Sequence, residues 1–153
     1  MLLKCKEKFD FDKLRHDVKY AANQANVICL EGIGFKKNSN GTYEYMTFIL
    51  RDKDKDDNEF LMYAFNDIDD MIDGRYDFID EKKNYQQCLN IESFVSSKML
   101  LKFIYEYMKL NRDDIFYDEL EWYYTFEDIE KIVNMKAYDA EWCYKNPIDL
   151  LPS

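Results

Sequence analysis

The N-terminal part of the chain shows a helical hydrophobic pattern between residues 10 and 25. Its apolar positions fall at spacings of three, four and seven, and they are Phe11, Leu14, Val18, Ala21, Ala22 and Ala25. This spacing places them on one face of an amphipathic helix. Asp10 or Asp12 can cap this helix, because a short side-chain acceptor satisfies a free amide group of the first turn.

Strand-like patterns follow over residues 27–37, 43–50 and 59–65. Between the first two lies Asn40-Gly41, a dipeptide that adopts the positive φ angles of a tight hairpin turn at low cost. We therefore expect a three-stranded antiparallel meander packed against the first helix.

The second half of the chain is predicted to be mainly helical. Ser96 or Ser97 can cap a helix that runs to about residue 111, with its apolar residues on one face. Thr125 and Asp128 are spaced as in a capping box, which predicts a further helix over residues 126–135.

Two further expectations concern the remaining parts of this half. The acidic stretch 67–80 is expected to contain a short helix at residues 68–72, and Pro147 and Pro152 are expected to lie in an extended tail. The predicted fold is thus a single α+β domain over residues 1–153. It has an antiparallel sheet of three to five strands, an N-terminal helix and a helical second half.

Composition is that of a globular chain, with 47% hydrophobic, 34% charged and 17% aromatic residues. The longest uncharged apolar run, residues 60–65, falls far short of the roughly 20 residues that a membrane-spanning helix needs. The four cysteines are widely spaced and include no CxxC pair. The apolar stretch at the N-terminus is too short for a secretory signal peptide. We expect a cytoplasmic protein with free thiols and no membrane contact.

Charge narrows the class of partner. The formal net charge is −10, from 31 acidic and 21 basic residues. Nucleic acids and anionic lipids are polyanions, so this charge argues against direct binding to either and favours a basic protein partner. The surplus is regional, because residues 1–51 carry a net +3, residues 52–94 a net −8 and residues 95–153 a net −5.

The patterns that resemble metal or catalytic sites fail at their decisive positions. Asp52-x-Asp54-x-Asp56 resembles the start of a calcium loop, but the sixth residue is not Gly and the twelfth is not Glu. His16 is the only histidine, and no zinc-binding spacing includes it. We therefore predict no metal, no cofactor, no catalytic residue and no enzymatic activity.

The remaining feature is an acidic and aromatic segment, residues 113–130. It contains eight acidic residues and no basic one. Interfaces are enriched in Tyr and Trp, and acidic groups complement a basic partner, whereas the alternative interpretation is a solvated face over core aromatics. The surplus positive charge of residues 1–51 would cancel the local field if that part folds against the segment. The candidate partner-binding residues are Asp113, Asp114, Asp118, Glu119, Glu121, Trp122, Tyr123 and Tyr124.

Two stretches, residues 99–107 (MLLKFIYEY) and 122–129 (WYYTFEDI), lie in a small, acidic and aromatic-rich chain. In this respect the chain resembles the bacterial immunity proteins of contact-dependent inhibition and polymorphic toxin systems. The resemblance implies a cytosolic antidote that binds a toxin domain, often a nuclease, and occludes its basic active site. Two alternatives stay open: a phage-type inhibitor or nucleic-acid mimic that acts on a defence nuclease, and a small enzyme with carboxylate chemistry.

Overall fold

A computed structural model describes residues 1–32, 36–37, 43–55, 58–65, 76, 78–92, 96–118, 120 and 122–150. The strands are β1 (Leu2–Cys5), β2 (Val27–Glu31), β3 (Lys36–Lys37), β4 (Tyr43–Asp52), β5 (Glu59–Phe65), β6 (Tyr85–Glu92), β7 (Ile115–Tyr117) and β8 (Tyr123–Tyr124). The helices are α1 (Phe11–Gln24), α2 (Ser97–Leu110), α3 (Phe126–Val133) and α4 (Pro147–Leu150). Short 3-10 helices lie at Lys6–Lys8 and Trp142–Tyr144.

The strands form one antiparallel sheet. Seven of them lie in the order β2-β4-β5-β6-β1-β7-β8, and the two-residue β3 also pairs with β4. The N-terminal strand β1 lies inside the sheet, between β6 and β7. The α+β class is confirmed, but the expected three to five strands are too few, since the described residues alone form eight.

The first helix and the meander are confirmed. Asp10 caps α1, and its carboxylate accepts the Lys13 N–H at 3.0 Å. Strands β2, β4 and β5 pair in sequence as an antiparallel meander. The Asn40-Gly41 turn lies outside the described residues.

The second half contains the predicted helices α2 and α3, but the prediction missed β6, β7 and β8, which also lie there. Strand β6 contains polar residues, of which Gln86 is buried, so its sequence lacks a clean hydrophobic alternation. Strands β7 and β8 have three and two residues, too few to establish a period. Residues from Pro147 to Leu150 form the short α4 rather than an extended tail, with proline at the first helical position, where its missing N–H costs nothing.

Both predicted caps in this half are confirmed. Ser96 caps α2 and accepts the Met99 N–H at 3.3 Å. Thr125 and Asp128 form a reciprocal capping box at the start of α3. Pro152 and the expected helix at residues 68–72 lie outside the described residues. No helix within the described ranges is both long and apolar enough to cross a membrane.

The helices α1, α2 and α3 pack on one face of the sheet over a large hydrophobic core. The largest fully buried side chains of this core include Phe48, Phe60, Phe103, Tyr107, Tyr124 and Trp142. On the opposite face the described residues form a smaller cluster with Leu3, Cys5, Tyr76, Tyr85 and Ile115. Neither residue of the edge strand β8 belongs to this cluster.

Candidate partner-binding site

The structure divides the eight predicted contact residues into three groups. Asp114, Asp118 and Tyr124 are buried. Asp113, Trp122 and Tyr123 are exposed. Glu119 and Glu121 lie outside the described residues. The sequence segment is thus partly interior, and its buried members do not reach the surface.

The basic N-terminal part folds against the start of the acidic segment. Lys8 Nζ lies 2.5 Å from Asp113 Oδ2 in an exposed pair, and this hydrogen bond and charge hold the pKa of Asp113 below its usual range. Lys4 Nζ lies 2.9 Å from Asp114 Oδ1 and 2.8 Å from Oδ2 in a buried pair. The local negative field expected at Asp113 and Asp114 is therefore largely cancelled within the molecule.

Asp114 belongs to a buried polar network that joins four elements. Its Oδ2 accepts the Tyr107 hydroxyl at 3.0 Å, while Lys4 also donates to Asn111 Oδ1 at 3.0 Å. Asn111 in turn donates to Asp17 Oδ2 at 3.0 Å. Burial raises the pKa of Asp114, although the Lys4 ammonium opposes this shift. The network ties β1, α1 and the end of α2 to the residue before β7, which is a structural role.

Asp118 shapes the turn between β7 and β8. Its Oδ1 accepts the N–H groups of Leu120 at 2.9 Å and of Trp122 at 2.8 Å, and its own N–H donates to the Trp122 carbonyl at 3.0 Å. These bonds fix the backbone that presents the Trp122 side chain. Asp118 is therefore a positioning residue rather than a contact residue.

The two-residue strand β8 sends its tyrosines to opposite faces of the sheet. Tyr124 enters the main core, where its hydroxyl donates to the carbonyl oxygens of Trp142 at 3.0 Å and Lys145 at 2.5 Å. Tyr123 pairs with Tyr117 across the strands and projects from the other face. The alternation of side chains along a strand thus decides that Tyr123, and not Tyr124, is available to a partner.

Trp122 and Tyr123 line a cleft of about 1030 Å³ at the β8 edge. Three further aromatic residues, Tyr76, Phe78 and Tyr117, line the same cleft. The Phe78 ring centroid lies 6.1 Å from that of Tyr117 and 6.2 Å from that of Tyr123. Phe78 is 59% exposed, Tyr123 39% and Trp122 37%. Such a group of accessible aromatic rings is typical of an interaction surface.

The polar wall of the cleft comes from α3, and the C-terminal part of the described chain completes it. Glu127, Asp128 and Lys131 line the cleft from α3, and Asn146, Pro147 and Ile148 line it from the C-terminal part of the described chain. Asp128 is held by the capping box, in which its Oδ2 accepts the Thr125 N–H at 3.0 Å and hydroxyl at 2.8 Å. Glu127 is exposed and, within the described part of the chain, forms no hydrogen bond or ion pair.

Phe78 and Ile148 also line the cleft, although no sequence pattern indicates either as a contact residue. Ile148 is 78% exposed, the largest exposure among the described large hydrophobic side chains. Neither residue lies in a periodic hydrophobic pattern, and both reach the cleft only through the tertiary fold. In the sequence, each is an apolar residue beside charged or polar neighbours. This pattern is a weak indication of a contact residue, because single exposed apolar residues are common on protein surfaces.

The described residues contain no cluster of three His, Cys, Asp or Glu side chains placed to hold a metal ion. In the calcium-like pattern, Asp52 Oδ1 accepts the Asp54 N–H at 2.9 Å as part of a turn, and Asp56 lies outside the described residues. His16 is exposed on α1 beside Asp17. The four cysteines are free thiols, of which Cys29 is half-buried and the other three are buried.

Comparison with known proteins finds no matching family model, no matching curated protein and no matching solved structure. The functional interpretation therefore depends on the geometry of the cleft and on the chain's charge.

Proposed function

We propose that this protein is an acidic binding protein that neutralises a toxin, of the nuclease type, by occluding its basic active site. The observation that carries the proposal is the cleft beside β8, where Trp122, Tyr123 and Phe78 expose aromatic surface without filling the space between them. Aromatic anchors in such recesses dominate the binding energy of many protein interfaces. The resemblance to immunity proteins supplies the class of partner.

Electrostatics support a basic partner at the level of the whole chain. Although Asp113 and Asp114 are paired with lysines, the chain keeps a net charge of −10. A charge of this size steers a basic partner toward the protein and speeds the encounter, and added salt weakens the effect. Glu127 adds an exposed carboxylate at the cleft itself.

A phage-type inhibitor of a defence nuclease would use the same physical surface, and it differs from the first proposal only in the identity of the partner. The enzyme alternative has less support. Among the described residues, the carboxyl group whose pKa is raised by burial is that of Asp114, which pairs with Lys4 and does not line the aromatic cleft. A general acid must reach the substrate, whereas this group is enclosed.

The proposal predicts that a toxin nuclease domain is encoded beside this gene, and it is tested by measuring binding to that domain together with inhibition of its cleavage of DNA or RNA. We expect Trp122→Ala and Tyr123→Ala each to weaken binding by about 30-fold, the effect of losing an interface anchor worth about 2 kcal/mol. Tyr20→Ala is the matched control, because Tyr20 is 45% exposed on α1 and lies outside the cleft.

Circular dichroism should show the same fold for all three variants. If the cleft variants bind and inhibit like the wild type, the interface lies elsewhere on the protein. If the wild type neither binds nor inhibits the neighbouring nuclease domain, the toxin-neutralising function is wrong.

A further inference from the structure

We propose that the partner group bound in this cleft is an arginine side chain. This inference rests on the proposed function, because it names the chemistry by which the cleft recognises a basic protein. Its basis is the combination of accessible aromatic faces with an unpaired carboxylate on one wall. Neither feature would suffice alone.

The first observation is the availability of the Trp122 indole. Within the described residues its ring contacts no other aromatic ring and its Nε1–H makes no hydrogen bond, although the side chain is only 37% exposed. Trp is the aromatic side chain that attracts a cation most strongly over its face. Tyr123 and Phe78 present further ring surface beside it.

The second observation is the charge on the α3 side of the cleft. Glu127, Asp128 and Lys131 line it there, so the charged groups among the described lining residues sum to one negative charge. Lys131 lies one helical turn after Glu127, yet the two side chains form no ion pair in the described structure. The Glu127 carboxylate is thus free to accept an incoming cation. An acidic side chain of a partner would meet repulsion at the same place.

Arginine fits this arrangement better than lysine. Its planar guanidinium stacks on an aromatic face while its edge donates two hydrogen bonds to a carboxylate, whereas an ammonium is a compact and strongly hydrated point charge. The fold itself shows the same preference nearby, since Arg112 Cζ lies 4.4 Å from the Phe126 ring centroid. The described lysines that lie over rings stay 5.1–5.9 Å away.

The test uses two small probes and the intact protein. N-acetyl-arginine methylamide carries the guanidinium, and N-acetyl-citrulline methylamide has nearly the same shape without the charge. Their binding is followed by the indole N–H signals of ¹⁵N-labelled protein, which has two tryptophans. Trp142 is fully buried and donates to the Ser97 carbonyl at 3.1 Å, so its signal serves as an internal reference.

We expect the arginine probe to shift the Trp122 signal saturably, with a dissociation constant of roughly 1–10 mM for a ligand of this size. The citrulline probe should bind about fivefold or more weakly, because it lacks the cation. Glu127→Gln should weaken the arginine probe about threefold. Glu130→Gln, on the same helix but outside the cleft, should leave its affinity unchanged.

Equal affinity for the arginine and citrulline probes would overturn the inference, as would the absence of any saturable Trp122 shift with the arginine probe. In either case the proposed function still stands if Trp122→Ala weakens toxin binding. Conversely, selective binding of the arginine probe by a protein that fails to inhibit the toxin would refute the proposed function and leave the cation-binding cleft in place.

Discussion

Removing Lys4 should destabilise this protein severely. The side chain of Lys4 is 9% exposed and that of Asp114 is 4% exposed, and the two form a close ion pair. In the Lys4→Met variant the methionine fills a similar volume but leaves the Asp114 carboxylate buried without a cation. The perturbation therefore isolates the electrostatic part of the interaction.

The expected loss is about 3–5 kcal/mol in the free energy of unfolding at pH 7, the usual cost of breaking one side of a buried pair. Native domains are stable by about 5–15 kcal/mol, so the variant should fold but with little margin. For a domain of this length, the melting temperature should fall by roughly 6 to 20 °C. Tyr107 still donates to Asp114, which limits the damage.

The loss should also depend on pH. Burial raises the pKa of Asp114 above its usual 3.8, so between 3.8 and the folded-state value the native protein holds more protons than the unfolded chain. Stability from this group therefore falls as pH rises through that window. Loss of Lys4 raises the folded-state pKa further and extends the window toward neutrality. We expect the destabilisation of Lys4→Met, relative to wild type, to be smaller at pH 5 than at pH 7.

Chemical denaturation at both pH values measures these effects. Lys8→Met is the matched control, because Lys8 and Asp113 are paired but more than half exposed, and its unfolding midpoint should match that of the wild type. Asp114→Asn combined with Lys4→Met should recover about 2 kcal/mol or more, since the double variant no longer buries an unpaired carboxylate at position 114. A Lys4→Met variant as stable as Lys8→Met, or a double variant no better than Lys4→Met, would refute the reasoning.

Three further predictions concern the surroundings of the site. Tyr124→Phe removes the donor to two carbonyl groups of the main core and should cost about 1–3 kcal/mol in unfolding free energy, whereas Tyr123→Phe on the opposite face should change it little. Thr125→Ala removes the capping box of α3 and should lower the unfolding free energy by about 1 kcal/mol, measured by urea denaturation. Ser97→Ala, beside the α2 cap, removes only an exposed hydrogen bond to the Tyr138 hydroxyl and should lower it by less. Burial raises the pKa of Cys88 to about 12 and that of Cys29 to about 11, so thiol labelling of the native protein should be slow, with half-buried Cys29 reacting before Cys88. Rapid labelling of Cys88 without denaturant would contradict this burial.

The sequence predicted those elements whose signals are local. The spacing of Phe11, Leu14 and Val18, the cap at Ser96 and the box at Thr125 each act within a few residues, and all three agree with the structure. Strand β1 was missed because it lies between two other strands and is buried on both faces. The sequence of β1 does not alternate between apolar and polar residues, so its hydrophobic pattern does not indicate a strand.

The residues of the candidate segment differ in exposure in a way that the sequence does not predict. Asp113 to Tyr124 is continuous in sequence, yet the fold sends Asp114 and Tyr124 inward and Trp122 and Tyr123 outward. Lys4 neutralises Asp114 and Lys8 neutralises Asp113, and both lysines lie more than 100 residues earlier in the chain. The sequence shows that this chain contains both acidic and basic residues, but it does not show which of these side chains form ion pairs in the fold.

The aromatic residues of this segment have two structural roles, according to the face of the sheet on which they lie. Strands β7 and β8 form one end of the sheet, and their alternate side chains serve different faces. Phe116 and Tyr124 pack with Trp142 under the helices, at ring distances of 5.5–5.7 Å. Tyr117 and Tyr123 line the cleft on the other face, and the Phe78 ring centroid lies 6.1–6.2 Å from theirs. A partner that docks there would complete a second layer over the same two strands. On this view the aromatic content of residues 113–124 stabilises the fold on one side of the sheet and supplies the proposed binding surface on the other.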